Sequence, residues 1–176
     1  MEIYFLRHAN AGQSQLNPRK DEQRALDELG IRQSHDVGRA LKALKITVDA
    51  IISSPLPRAA ETATIAAEEI GHEDKIILDE AMRPESTYDQ FEQLLERYRS
   101  QDAIMIVGHN PSMTEFLNKL VTGHTSPHNI ELKKGAVVKV EKDGRSAVLK
   151  WCLTPKIVRA IQEASASSSR PKAVSK

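Results

Sequence analysis

Three short segments carry side chains suited to phosphoryl chemistry. They are Leu6-Arg7-His8-Ala9, Ser53-Ser54-Pro55-Leu56-Pro57-Arg58-Ala59 and Val107-Gly108-His109-Asn110. Arginine binds phosphate through two parallel N–H bonds. A neutral imidazole nitrogen can attack phosphorus and leave a covalent phosphohistidine for water to open. Fixed cations near the transferring group, here Arg7, Arg58 and His109, offset the charge spread over its equatorial oxygens. This chemistry requires no metal and no cofactor.

The segments are useful together only if the fold brings them together. Each follows an apolar run of strand length: Ile3 to Leu6, Val48 to Ser53 and Ala103 to Val107. Helical patterns separate these runs. One lies from about Asp21 to Leu44 with a break near Gly30, one from Arg58 to Ile70 stopped by Gly71, and one from Tyr88 to Arg99. A fourth runs from about Pro111 to Leu120, with Asn110 as N-cap and Pro111 at the first helical position. The polar stretch from Ala11 to Glu22 reads as a loop, and Ile76 to Leu78 as a short strand. Ala136 to Val140 and Ala147 to Trp151 flank Asp143-Gly144, a hairpin signal. A last helix covers Lys156 to Ala164.

Alternating strands and helices, with strands apolar on both faces, predict a three-layer α/β/α sandwich. Its central sheet is mostly parallel and ends in an antiparallel hairpin near the C-terminus. In such sheets ligands bind beyond the carboxyl ends of the strands. The three segments would then share one rim holding two arginines, two histidines and the N-termini of two helices, which attract anions. Residues 1–163 are expected to form a single domain. Residues 164–176, rich in serine, read as a disordered tail.

Composition narrows the alternatives. The 176 residues carry 25 Lys+Arg against 24 Asp+Glu, a net +1, so bulk charge gives no case for a nucleic-acid or membrane partner. Aromatic residues make up only 4%, which disfavours base-stacking platforms. A single cysteine, Cys152, excludes an internal disulfide, and no 18-residue apolar run is present. The N-terminus does not read as a signal peptide, so the expected location is the cytoplasm. His124 and His128 bracket Pro127 and make a poor metal pair, and Ser53 and Ser54 read as caps of the following helix.

Taken as ordered blocks, these residues resemble the histidine phosphatase superfamily, which includes the cofactor-dependent phosphoglycerate mutases. Leu6-Arg7-His8-Ala9 is similar to its R-H-G signature, with Ala9 in place of the usual glycine. Ser53-Ser54-Pro55 with Arg58-Ala59 and Glu61-Thr62-Ala63 is similar to S-S-P-x-x-R-A-x-x-T-A. Gly108-His109-Asn110-Pro111 matches the second-histidine block. Spacing and size resemble the SixA-type phosphohistidine phosphatases most. The resemblance implies His8 as nucleophile, Arg7 and Arg58 as phosphate clamps, a protonated His109 as the fourth side of the pocket, and the Asn110 backbone as a further donor. Asp21, Arg24, Leu26 and Gly30 are similar to the family's post-loop segment; Arg24 there either steadies the phosphate loop or is a solvated charge.

Larger members of the family place a glutamate after the third strand, to protonate a leaving oxygen. No clear block of that kind is present here, and Glu80 is the nearest acid. An alkoxide leaves poorly without an acid, whereas a protonated imidazole leaves readily. The expected substrate is therefore phosphohistidine in a partner protein. A small-molecule phosphomonoesterase or phosphoglycerate mutase-like enzyme is the second expectation. A non-catalytic phosphoanion-binding module is the third.

Overall fold

The computed structural model describes residues 1–124 and 130–168. Its strands are β1 (Glu2–Arg7), β2 (Ala50–Ser53), β3 (Ile77–Leu78), β4 (Ala103–Gly108), β5 (Val137–Asp143) and β6 (Ser146–Leu153). They form one sheet in the order β3-β2-β4-β1-β5-β6. The first four strands of that order run parallel, and the β5–β6 hairpin adds to β1 antiparallel. This is the predicted architecture.

Alternation along the central strands explains the layers, because successive side chains point to opposite faces. Ile3, Phe5, Ile104 and Ile106 pack with Phe91, Leu94, Phe116 and Leu117. The last four belong to α4 (Tyr88–Arg97) and α5 (Ser112–Thr122). Tyr4, Leu6, Met105 and Val107 pack on the other face with Val37, Leu41, Ala59, Ala63 and Ala66. Those belong to α2 (Glu28–Ala43) and α3 (Pro57–Ile70). Both faces of β1 and β4 are therefore covered, as continuous apolar strands require.

Several boundaries differ from the sequence reading, each for a local reason. The stretch expected as a loop contains the short helix α1 (Pro18–Glu22). Asn17 caps it by accepting from the Arg19 and Lys20 amides, and Pro18 takes the first helical position. The broken helix expected from Asp21 is instead the single helix α2. Asp27 caps it by accepting from Gly30 N–H at 2.8 Å, so Gly30 lies in the first turn and interrupts nothing. Asn110 does not cap α5. Pro111 holds the N-cap position without a side-chain bond, and Asn110 Nδ2 donates to the Leu132 carbonyl.

The final helix, α6 (Pro155–Ser168), runs past the boundary expected at residue 164. Residues 169–176, the rest of the expected tail, and His128 of the weak histidine pair lie outside the described residues. Among the described residues no helix is long and apolar enough to cross a membrane.

Candidate functional site

Parallel pairing places the three segments side by side. β4 lies between β1 and β2, with Arg7 opposite Gly108 and Ser53 opposite Val107. The chain leaves all three strands at the same edge. Arg7, His8, Ser54, His109 and Asn110 emerge there, and Arg58 follows in the first turn of α3. His8 is 5% exposed, Arg58 5% and His109 2%. The two imidazole centroids are 4.9 Å apart.

Each functional side chain is held by its neighbours. His8 Nδ1 is 2.7 Å from the Ala9 carbonyl oxygen, which can only accept. The proton therefore sits on Nδ1, and Nε2 keeps its lone pair. His109 Nε2 lies 2.9 Å from Ser54 Oγ, and that oxygen also accepts from the Leu56 amide. Ser54 is buried and its hydroxyl has no other acceptor among the described residues, so it is best satisfied by donating to Nε2, which places the N–H of the neutral ring on His109 Nδ1. Ser54 is thus a partner of His109 and not the expected helix cap. Arg7 Nη1 donates to the Leu132 carbonyl at 2.8 Å, and Arg58 Nη1 to the Asp21 carbonyl at 2.8 Å. Thr62 Oγ1 accepts from Ala9 N–H and donates to the Arg58 carbonyl, so α3 is tied to the turn after His8.

Six buried side-chain polar atoms lack a hydrogen-bond partner among the described residues, and four belong to this rim. They are Arg7 Nε, Arg58 Nε, His109 Nδ1 and Asn110 Oδ1. Buried polar groups are paired in nearly all proteins, so such a cluster marks a site shaped for a ligand. Three of the four are donors, which suits an anion. Arg58 also sits in the first turn of α3, where a cation opposes the helix dipole; the Asp21 carboxylate 3.7 Å from its Nη2 offsets only part of that.

The electrostatics show which groups carry charge. Burial pushes the His8 imidazole down to about 3, opposed by the Ala9 hydrogen bond and reinforced by Arg58, Arg7 and Lys134. Burial likewise pushes His109 down to about 2, with His8, Arg58, Arg7 and Arg24 adding to it. Both rings are neutral at physiological pH. Burial first, and then the cationic neighbours, favour a neutral His109 ring, where the resemblance implies a protonated one. A phosphoryl dianion beside Nδ1 would reverse the sign of that field.

Arg24 is a support, and the solvated-charge alternative does not apply. Its Nη1 donates to the Ala11 carbonyl at 2.9 Å, and its Nε donates to Asp21 at 3.1 Å. The carboxyl groups nearby are all engaged. Asp21 is held ionised, its pKa lowered by the Gln15 amide and by Arg24. Glu80 stands in a 3₁₀ turn (Glu80–Met82), 74% exposed, with Oε2 2.5 Å from Arg83 Nε. Glu22 and Glu85 face the same guanidinium at 3.4 and 3.9 Å.

Sequence reading did not find Asp27, Leu132 or Lys134. Asp27 accepts from Asn10 Nδ2 at 2.6 Å and from Gly12 N–H at 3.0 Å, so α2 anchors the loop after His8. Gly30 allows that loop its close approach: a Cβ there would lie 1.9 Å from the Asn10 carbonyl oxygen. An acidic N-cap with glycine three residues later is the signal that could have identified the anchor. Nothing local marks Leu132 or Lys134, which reach the site across the sheet. A cleft of about 630 Å³, lined by Met1, Tyr88, Glu92 and Lys142 among others, lies at the opposite end of β1, away from these residues.

Residues 3–94 match the model of the histidine phosphatase superfamily (branch 1). An uncharacterized protein of Picosynechococcus is 32% identical over 141 residues, covering 78% of this chain and 83% of its own length. Among solved structures, the protein histidine phosphatase SixA complexed with tungstate superposes with a TM-score of 0.79. It is 18% identical, and the match covers 89% of this chain and 98% of that one. The α-ribazole phosphatase from Shigella flexneri superposes at 0.67, with 13% identity over 88% of this chain and 97% of that one. These two structures share the fold. The family match spans the first two of the three segments, and by it the chain belongs to the histidine phosphatase superfamily, branch 1, and is by class a phosphatase.

Proposed function

We propose that this protein removes phosphate from phosphohistidine in a partner protein, through a phosphohistidine formed on His8. The observation that carries this reading is the buried neutral His8 with its proton on Nδ1, beside three unpaired N–H donors. His8 Nε2 attacks phosphorus, the P–N bond to the substrate imidazole breaks, and the departing nitrogen takes a proton from solvent. Water then attacks phosphorus, the bond to Nε2 breaks, and inorganic phosphate leaves. Arg7 Nε, Arg58 Nε and His109 Nδ1–H hold the equatorial oxygens throughout. The Asn110 backbone adds a donor at the same edge.

The preference for P–N over P–O bonds rests on the carboxyl groups. Asp21 is ionised under Arg24, and Glu80 is paired with Arg83 in solvent, so neither is suited to protonate an alkoxide. An imidazole leaving group does not need such an acid. A phosphotransfer or phosphocarrier domain in the cytoplasm is the substrate class that fits.

The test is phosphate release from a histidine-phosphorylated protein and from a phosphoserine peptide, with wild type and His8→Ala compared. Release from phosphohistidine only, abolished in the variant, supports the reading. Release from both would indicate an ester phosphatase with an acid. Binding without release would indicate a phosphoanion-binding module.

A further inference from the structure

The segment before β5 closes the site on the side away from α3. Gly135 N–H reaches the Arg7 and His8 carbonyls, both at 3.1 Å, and the Leu132 carbonyl accepts from both Arg7 and Asn110. Between these fixed points stands Lys134, half-buried, with Nζ 3.2 Å from Asn10 Oδ1. Among the described residues no carboxylate lies within 4 Å of this ammonium. A neutral amide oxygen satisfies one of its three donors. The charged groups facing it are Arg7 from β1, Arg24 from the segment before α2, Arg58 from α3, and one acid, Asp27, at the start of α2. Asp21 pairs with Arg24 and Arg58 at 3.1 and 3.7 Å, whereas among the described residues Arg7 and Lys134 have no carboxylate within 4 Å, so the cluster keeps a positive excess that an anion would offset.

We infer that Lys134 is a substrate-binding residue, whose ammonium leaves Asn10 and joins Arg7 and Arg58 in holding the phosphoryl dianion. The inference rests on the proposed use of this rim as a phosphoryl site. It assigns Lys134 to binding: the cation is needed before attack, and His8 carries the chemistry. Burial, then Arg7 and Arg24, hold the Lys134 pKa below the ordinary 10.5, against the pull of Asp27. The ammonium is therefore the group at the mouth that loses its charge first as pH rises, since the arginines stay charged.

The experiment is calorimetric titration with tungstate, an inorganic oxyanion, of the full chain as wild type, Lys134→Gln and Lys134→Arg. The expected result at pH 7.5 is affinity weaker by about 10-fold or more in Lys134→Gln, and within 3-fold of wild type in Lys134→Arg. As pH rises towards 10, wild-type affinity falls along a limb that Lys134→Arg lacks; a lysine that only held its loop would not produce that difference. With a phosphohistidine substrate, Lys134→Gln raises KM more than it lowers kcat. Wild-type binding matched by Lys134→Gln would overturn this inference and leave the His8 reading standing. No tungstate binding by wild type would overturn both.

Discussion

The Ser54 hydroxyl lies 2.9 Å from His109 Nε2, linking the ends of β2 and β4 across a buried contact. It fixes the ring so that Nδ1–H is the free donor. Ser54→Ala removes that constraint and leaves a second unpaired nitrogen on His109. The expected result is a fall in kcat/KM of roughly 10- to 100-fold, the cost of leaving one buried polar group at the site without its partner. Thermal stability should drop by about 1 kcal/mol. Steady-state kinetics with a histidine-phosphorylated protein check it, and an unchanged kcat/KM would show that the ring needs no such support.

Glu80 pairs with Arg83 in solvent. Glu80→Gln should therefore leave phosphohistidine hydrolysis within about 2-fold of wild type, the range expected for an exposed pair worth under roughly 1 kcal/mol. A loss of 100-fold, measured with the same substrate, would identify Glu80 as an acid after all.

The two rings have folded-state values near 3 and 2, below the ordinary 6.5. The unfolded chain consequently binds more protons than the folded one below pH 6.5. Stability should fall as pH drops from about 7.5 through 6.5 towards 3, and these two groups should contribute almost no pH dependence above about 7.5. Imidazole NMR should show His8 as the Nδ1–H tautomer without titration between pH 8 and 5. Urea melts at pH 7.5 and 5 should show acid destabilisation that His8→Asn reduces. Titration of His8 near 6.5 would contradict the burial argument.

An anion that pairs the orphaned donors binds the folded chain and not the unfolded one. Inorganic phosphate at 100 times its Kd should stabilise by about 2.7 kcal/mol, a rise in Tm of roughly 5–10 °C for a domain of this size. Arg58→Ala should abolish the rise, because Arg58 Nε is one of the unpaired donors. Scanning calorimetry with and without phosphate gives the answer, and an equal rise in the variant would place the anion elsewhere.

Gly30 faces the Asn10 carbonyl at a distance no side chain tolerates. Gly30→Ala must push either α2 or the loop after His8 aside. A loss of about 2–3 kcal/mol is expected from overpacking at such a site, with turnover falling by more than 10-fold because Asn10 and Gly12 are tied to Asp27. Denaturant melts and kinetics on the same variant check both, and a stable, active protein would mean that the loop is free to shift.

Local chemistry made much of this molecule legible in sequence. The apolar runs of β1, β2 and β4 are continuous because both faces are covered. Their polar ends, Arg7-His8, Ser53-Ser54 and Gly108-His109, stand out for the same reason: such groups are rarely placed against a core without a purpose. Parallel order then follows from the helices between the strands, and with it the shared rim. What sequence could not decide depends on contacts between residues distant in the chain. Ser54 and His109 are 55 residues apart, and Lys134 and Asn10 are 124 apart. Whether a serine caps a helix or holds an imidazole depends on which strand lies beside it. Whether His109 carries a proton depends on how many cations the fold gathers around a buried ring, and spacing along the chain holds no record of either.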